Sequence, residues 1–185
     1  MKATADQWTA YYQVIVEIVR GCAFESFLEL GIGEGYLAGY LKSHCPSLTQ
    51  ITGVDISSYH THLPADYVTP EGVEYLHDTP TDQFFAEDER GWDCIFVDAL
   101  HEHRQATRDF TNAMRVLNDD GLIFLHDTYP PSPASLLPLV CGDVYKTYLE
   151  LAERNDLEVV TLPLFNGLTI IRRVDERRLW TMEEN

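Results

Sequence analysis

The stretch Phe27-Leu28-Glu29-Leu30-Gly31-Ile32-Gly33-Glu34-Gly35 runs from apolar residues through an acid into three glycines at alternate positions. Beyond it, Tyr36, Leu37, Tyr40 and Leu41 recur at helical spacing. A buried strand, a tight turn and a helix start are predicted, in that order. Glycine tolerates positive φ and carries no Cβ, so a ligand can approach the turn closely. The helix that follows presents unpaired N–H groups at its first turn. Glu29 would aim a carboxylate at whatever lies above.

Two ligand chemistries compete for such a turn. A dinucleotide fold wants Gly-x-Gly-x-x-Gly, with a pyrophosphate seated on the helix terminus. Here the pattern is Glu-x-Gly-x-Gly-x-Gly, so the third glycine comes one residue early and an acid precedes the first. A carboxylate in that place repels a pyrophosphate and suits a cation. S-adenosylmethionine, with a sulfonium and an α-ammonium, meets that demand. A turn that only reverses the chain is the plain alternative.

Upstream, Trp8, Tyr11, Tyr12, Ile15, Ile18 and Val19 share a helical face, which predicts a lead helix over about 6–20 ended by Gly21. Downstream, the helix after the glycines should run to about His44, stopped by Pro46. Further short apolar runs end at Asp55, Asp78 and Asp98. Asp55 stands about twenty residues past the turn, where a ribose-binding acid sits in nucleotide folds. Ala106, Phe110, Ala113, Met114 and Leu117 mark a helix, and Asn118-Asp119-Asp120-Gly121 turns it into a strand at Leu122–Leu125. His126-Asp127 and a stiff Tyr129-Pro130-Pro131-Ser132-Pro133 loop follow. Gly142-Asp143 opens a helix carrying Val144, Tyr145, Tyr148, Leu149 and Ala152. Asn166-Gly167 then joins two β-runs as a hairpin. Alternating strands and helices, closed by that hairpin, predict an α/β, doubly wound, mainly parallel seven-stranded sheet in one domain over 1–185. Glu29, Asp55, Asp78, Asp98 and Asp127 should then line the strand ends where ligands bind.

Composition bounds the functions. At 185 residues, 45% apolar and 23% charged, the chain can bury a core without disulfides. Cys22, Cys45, Cys94 and Cys141 are scattered, with no Cys-x-x-Cys. The N-terminus has no signal-peptide pattern and no stretch is long enough to span a membrane, so a cytoplasmic location is expected. A formal charge of −17 argues against nucleic acid as partner. Arg172, Arg173, Arg177 and Arg178 read as a strand end and a solvated tail, and His60-x-His62 as a solvated pair.

On the glycine turn, Asp55 and the hairpin, the sequence resembles the class I S-adenosylmethionine-dependent methyltransferases over nearly its whole length. That resemblance implies a Rossmann-like methyltransferase fold and a donor site made of Glu29, Gly31, Ile32, Gly33, Gly35, Asp55, Ile56, Asp78, Thr79 and Asp98. Phe96-Val97-Asp98-Ala99-Leu100-His101 and Leu125-His126-Asp127-Thr128 look like the small metal-dependent O-methyltransferases of the macrocin and catechol type. The likeness implies a divalent metal on Asp98, His126 and Asp127, and His101 as base. His126 departs from the acid usual in macrocin-type enzymes. Gly142-Asp143-Val144-Tyr145-Lys146 also resembles a recurrent segment, with no chemical task attached.

Methyl transfer from a sulfonium is an in-line displacement, so the protein must orient the acceptor and remove its proton. His101, with an unperturbed pKa of about 6.5, suits a general base. A metal on Asp98 and Asp127 would acidify the acceptor. Magnesium fits oxygen ligands, and an imidazole from His126 tilts the site toward manganese, iron or zinc. Asp98 as a helix cap, and His101 as a solvent-facing or orienting residue, are the plain alternatives. The expected partner is a small-molecule acceptor offering a hydroxyl; the aromatic lead helix is compatible with a homodimer. Two rival functions stay open: a nicotinamide-dependent oxidoreductase on the same sheet, and a binding module that kept the fold without catalysis.

Overall fold

The computed structural model describes residues 5–58 and 68–174, with side chains from residue 10 onward. The His60-x-His62 pair, Arg177, Arg178 and the Trp8 side chain lie outside the described residues.

Ser26–Leu30 forms β1, and all five of its residues are buried. Such a strand has to sit mid-sheet with both faces covered. It pairs in parallel with β2 (Gln50–Val54) on one side and β4 (Trp92–Val97) on the other. β3 (Val73–Leu76) pairs in parallel with β2 and forms one edge, as its more polar sequence requires. β5 (Leu117–His126) joins β4 in parallel, and the antiparallel hairpin of β6 (Leu157–Leu162) and β7 (Leu168–Arg173) closes the other edge. The resulting order, β3-β2-β1-β4-β5-β7-β6, is the doubly wound seven-stranded sheet that the sequence predicts.

Alternate strand residues feed two cores. On one face Phe27, Ile51, Phe96 and Phe124 pack under α1 (Ala5–Cys22) and α2 (Tyr36–His44). On the other, Leu28, Ile95, Ile123 and Leu125 pack under α3 (Thr81–Glu87), α4 (His103–Val116) and α5 (Tyr145–Ala152).

Several local expectations are corrected. The lead helix passes Gly21 and stops where Ala23 turns left-handed at φ 54°. β3 ends at Leu76, short of Asp78. α3 was not foreseen; only Phe84 and Phe85 are buried on it, too short a pattern to register a period. Asn118–Gly121 is not a free turn: β5 begins at Leu117, pairs with Trp92, and bulges before Leu122 pairs with Cys94. Asp93 anchors that bulge, its carboxylate accepting from Asn118 Nδ2 (2.7 Å), Glu25 N (2.9 Å) and Ser26 N (3.1 Å). A 3₁₀ turn starts at Pro133. α5 buries Thr147 and Leu151, whereas Leu149 and Ala152 face outward. The hairpin loop is longer than a two-residue turn: Leu162 pairs with Leu168, leaving 163–167 between them. Arg173 ends β7 on the carbonyls of Met114 and Leu117.

Candidate active site

The five parallel strands end along one rim, and each delivers an acid there. Glu29 is the penultimate residue of β1; Asp55, Asp98 and Asp127 directly follow β2, β4 and β5; Asp78 stands two residues past β3. Backbone contacts then divide the rim into two halves.

The first half surrounds the glycine turn. Gly31 has φ +89°, and a Cβ there would lie 2.0 Å from the Asp98 carbonyl oxygen. Only glycine lets the ends of β1 and β4 meet so closely. The Asp55 carboxylate folds back on the turn, accepting from Ile32 N (2.9 Å), Gly33 N (3.3 Å) and Ser57 N (2.7 Å). Thr79 N donates to Asp55 O at 2.9 Å and Asp78 N to Ser57 O at 3.2 Å, which draws the β3 end onto the same loop. Ile32 is buried and Ile56 is 70% exposed. Gly35 O accepts from Tyr75 Oη at 2.9 Å. Glu29 does not project above the turn. It is buried under the first turn of α2, receives a hydrogen bond from Ala38 N, and leaves Oε2 without a partner among the described residues. Burial, with Asp98 and Asp55 close by, lifts its carboxyl well above the usual range.

The second half lies between β4 and β5. His101 Nε2 stands 3.2 Å from Asp127 Oδ2 and 3.5 Å from Asp98 Oδ1. Ligand atoms of Asp98, His101 and Asp127 all fall within 4.8 Å of one another. His126 lies deeper. Its Nε2 is 2.9 Å from the Phe165 carbonyl, and Nδ1 is 3.3 Å from Asp98 Oδ2 and 3.4 Å from Asp127 Oδ1, aligned for a hydrogen bond to neither. Asp127 Oδ1 is likewise buried without a hydrogen-bond partner among the described residues.

Charges here are interdependent. Burial opposes a charged His126, yet Asp98, Asp127 and the Phe165 carbonyl push its pKa up to about 9. Burial also opposes an ionised Asp98, but the two imidazoles hold it below the usual carboxylate range. Asp127 moves the other way, raised by burial and by the Asp98 charge against the pull of His126. His101 is raised by both acids despite burial. Two carboxylates this close share protons unevenly, as like charges in one site must.

Supporting residues come from elsewhere in the chain. Tyr11 is 2% exposed, lies stacked with Phe96 at 6.1 Å, and sits 4.9 Å from the His126 ring. Tyr12 meets Tyr11 edge-on at 4.7 Å. Burial raises both phenol pKa values, and the nearby Glu29 and Asp98 carboxylates add to the rise. The sequence showed these tyrosines only as helix-face residues; two phenol hydroxyls on an apolar stripe were the signal. Gly142 and Asp143 gain a task. A Cβ on Gly142 would lie 1.7 Å from His101 O, and Asp143 Oδ1 accepts from His103 N at 2.6 Å, capping α4. That cap leaves Asp98 free of the capping role. His103 faces Glu150 at 3.1 Å, away from the cluster. The Cys141 thiol is buried beside Asp127; burial and that carboxylate push its pKa up to about 12.

Comparison with known proteins bears on the family and the fold. A family model described as a methyltransferase domain matches residues 28–128, from β1 to the residue after Asp127. No curated protein matches the chain. Among solved structures, the Podospora anserina methyltransferase PaMTH1, bound to S-adenosylhomocysteine, is similar with a TM-score of 0.68 at 18% identity, over 89% of this chain and 78% of that one. The O-methyltransferase TomG of Streptomyces achromogenes, in complex with S-adenosylmethionine, gives 0.67 at 16% identity, over 94% and 82%. An O-methyltransferase from Bacillus cereus, in complex with S-adenosylhomocysteine, gives 0.65 at 15%, over 94% and 83%. The family match takes in the glycine turn, Asp55, Asp98, His101 and Asp127 together, and by it this chain belongs to the methyltransferase-domain family.

Proposed function

We propose that the chain transfers a methyl group from S-adenosylmethionine to a hydroxyl oxygen of a small molecule, assisted by a divalent cation. One observation carries the reading. Buried carboxylate oxygens without a hydrogen-bond donor among the described residues occur in both halves of the rim, Glu29 Oε2 beside the glycine turn and Asp127 Oδ1 in the cluster with Asp98 and His101. A buried carboxylate oxygen without a donor is costly, and a cation relieves it.

The glycine half suits the donor. Gly33 leaves space for a ligand, Asp55 Oδ1 keeps about one lone pair beyond that used by Ser57, and Asp78 and Thr79 border the same loop. Glu29 would favour the positive end of the donor, which would return its carboxyl to the ionised form.

The residues between β4 and β5 fit a divalent cation: two carboxylates and an imidazole converge, and Asp127 Oδ1 lacks a hydrogen-bond donor among the described residues. Asp98 and Asp127 would hold the ion, which when bound acidifies an acceptor hydroxyl. His126, fixed by the Phe165 carbonyl, lies beneath both carboxylates with Nδ1 at 3.3 Å from Asp98 and 3.4 Å from Asp127. His101, its side chain 26% exposed, would serve as the base that takes up the hydroxyl proton once its Nε2 leaves Asp127 and Asp98. Orientation of the acceptor against the methyl group supplies the rest.

Titration calorimetry with S-adenosylmethionine tests the reading: saturable heat supports it, and none at high ligand concentration overturns it. The cation is tested separately, since activity unchanged after exhaustive chelation would release Asp98 and Asp127 from that role.

A further inference from the structure

The connection from β5 to α5 is turned inside out. Thr128 through Gly142 contains four prolines and no charged residue, between Asp127 and Asp143. Its small polar side chains lie inside: Thr128 is 2% and Ser135 8% exposed, and Thr128 Oγ1 accepts from Thr169 Oγ1 at 2.7 Å. Its large apolar side chains lie outside: Tyr129, Leu136, Leu137, Leu139 and Val140, with Leu139 95% exposed. Five of the eleven exposed large hydrophobics among the described residues fall on this one loop, so they are not the single scattered residues that any surface carries. The loop holds its own shape. Ser135 N donates to Ser132 O at 2.9 Å, Cys141 N to Ser135 O at 2.9 Å, Val140 N to Leu137 O at 2.8 Å and Gly142 N to Leu137 O at 3.1 Å. Its leucines therefore present a fixed apolar shelf to whatever lies outside.

Both ends of the shelf are fixed at the base. One end leaves β5 at Asp127, whose Oδ2 stands 3.2 Å from His101 Nε2. At the other, a Cβ on Gly142 would lie 1.7 Å from His101 O, and Asp143 N donates to the same oxygen at 3.3 Å. Leu100, next to His101, is exposed as well. Apolar walls around a few polar groups are how a site holds a small molecule. A second copy or a membrane lying on this loop would stand over the approach to His101 and Asp127. The loop also offers no Lys or Arg to lipid headgroups, and the formal charge of −17 repels an anionic surface. We infer that the acceptor carries an aliphatic arm several carbons long beside its hydroxyl, and that this arm lies along the shelf from Leu136 to Val140. The inference rests on the methyl-transfer reading above and narrows the acceptor.

The test uses the full chain and begins with calorimetry on S-adenosylhomocysteine; absence of binding there removes the methyl-transfer reading and this one with it. Given binding, that complex is titrated with two series, 4-alkylbenzene-1,2-diols from methyl to hexyl and alkane-1,2-diols from butane to octane. A methylene taken fully out of water gains about fourfold in affinity, and a shelf covers one side of it. Affinity should therefore rise about twofold per methylene in at least one series. The double variant Leu137→Ser/Leu139→Ser should flatten that rise. Val160→Ser, on an exposed valine of β6, should keep it. No rise in either series, a rise that the double variant keeps, or one that Val160→Ser also abolishes overturns the inference and leaves methyl transfer intact.

The two other occupants have signatures of their own. In sedimentation velocity, a wild-type dimer that the double variant dissociates would assign the shelf to a second copy. In flotation with neutral phosphatidylcholine vesicles, capture that the double variant loses would assign it to a membrane. Either result overturns the inference. An oligomeric state and a vesicle affinity that the two substitutions leave unmoved support the acceptor.

Discussion

At Gly31 the backbone turns with φ +89° against the Asp98 carbonyl, so a single methyl group is excluded twice, by conformation and by contact. Gly31→Ala should cost about 2 kcal/mol or more in urea unfolding, since the left-handed region alone costs about 1–2 kcal/mol for an L-residue. His101 acts at the chemistry instead. His101→Ala should lower kcat/KM by roughly 10²–10⁴ while leaving the calorimetric affinity for S-adenosylhomocysteine within error of wild type. The proton sharing between Asp98 and Asp127 gives a third expectation. A divalent cation favours both as carboxylates, so metal titration of the apoprotein should release protons, read as a heat that scales with the buffer's ionisation enthalpy. Asp98→Asn should diminish that release.

Elements are fixed by residues outside them. α4 has no side-chain cap from Glu102, its own N-cap residue; the cap on His103 N comes from Asp143, 40 positions beyond His103. Asp143→Ala should cost about 1 kcal/mol of stability, and because it frees the His103 N–H two residues from His101, kcat should fall more than donor affinity. On the far edge Asp93 ties β1, β4 and the β5 bulge. Burial opposes its ionisation, but hydrogen bonds from Asn118, Glu25 and Ser26 depress its pKa below the ordinary value. A depressed carboxyl contributes stability above its unfolded pKa, about 3.9, and loses it as pH falls through the folded value. The deficit of Asp93→Asn should therefore be full at neutral pH and vanish in acid, as measured by denaturation midpoints. Sequence periodicity showed the long elements because burial on one face leaves a repeat. It missed α3, with two buried phenylalanines, and the β5 bulge, where Asn118–Asp120 look like any polar turn until Asp93 arrives from another strand.

Over the whole molecule, five parallel strands and a closing hairpin put the acids of Glu29, Asp55, Asp78, Asp98 and Asp127 on one rim. That much was legible because each acid follows an apolar run directly. The division of tasks among them was not, since Asp55 braces the glycine turn and Glu29 lies beneath α2, and neither follows from sequence spacing. Tyr11 was equally hidden, its place beside His126 depending on how α1 lies across the sheet. The contact at Gly31 also sets a limit on redesign. Because the floor joining β1 to β4 has no slack, an enzyme engineered for bulkier acceptors cannot be widened from below. Room has to be won at the mouth, from Tyr129 to Val140, where Leu137 and Leu139 already stand out in solvent and can be exchanged with little loss of packing.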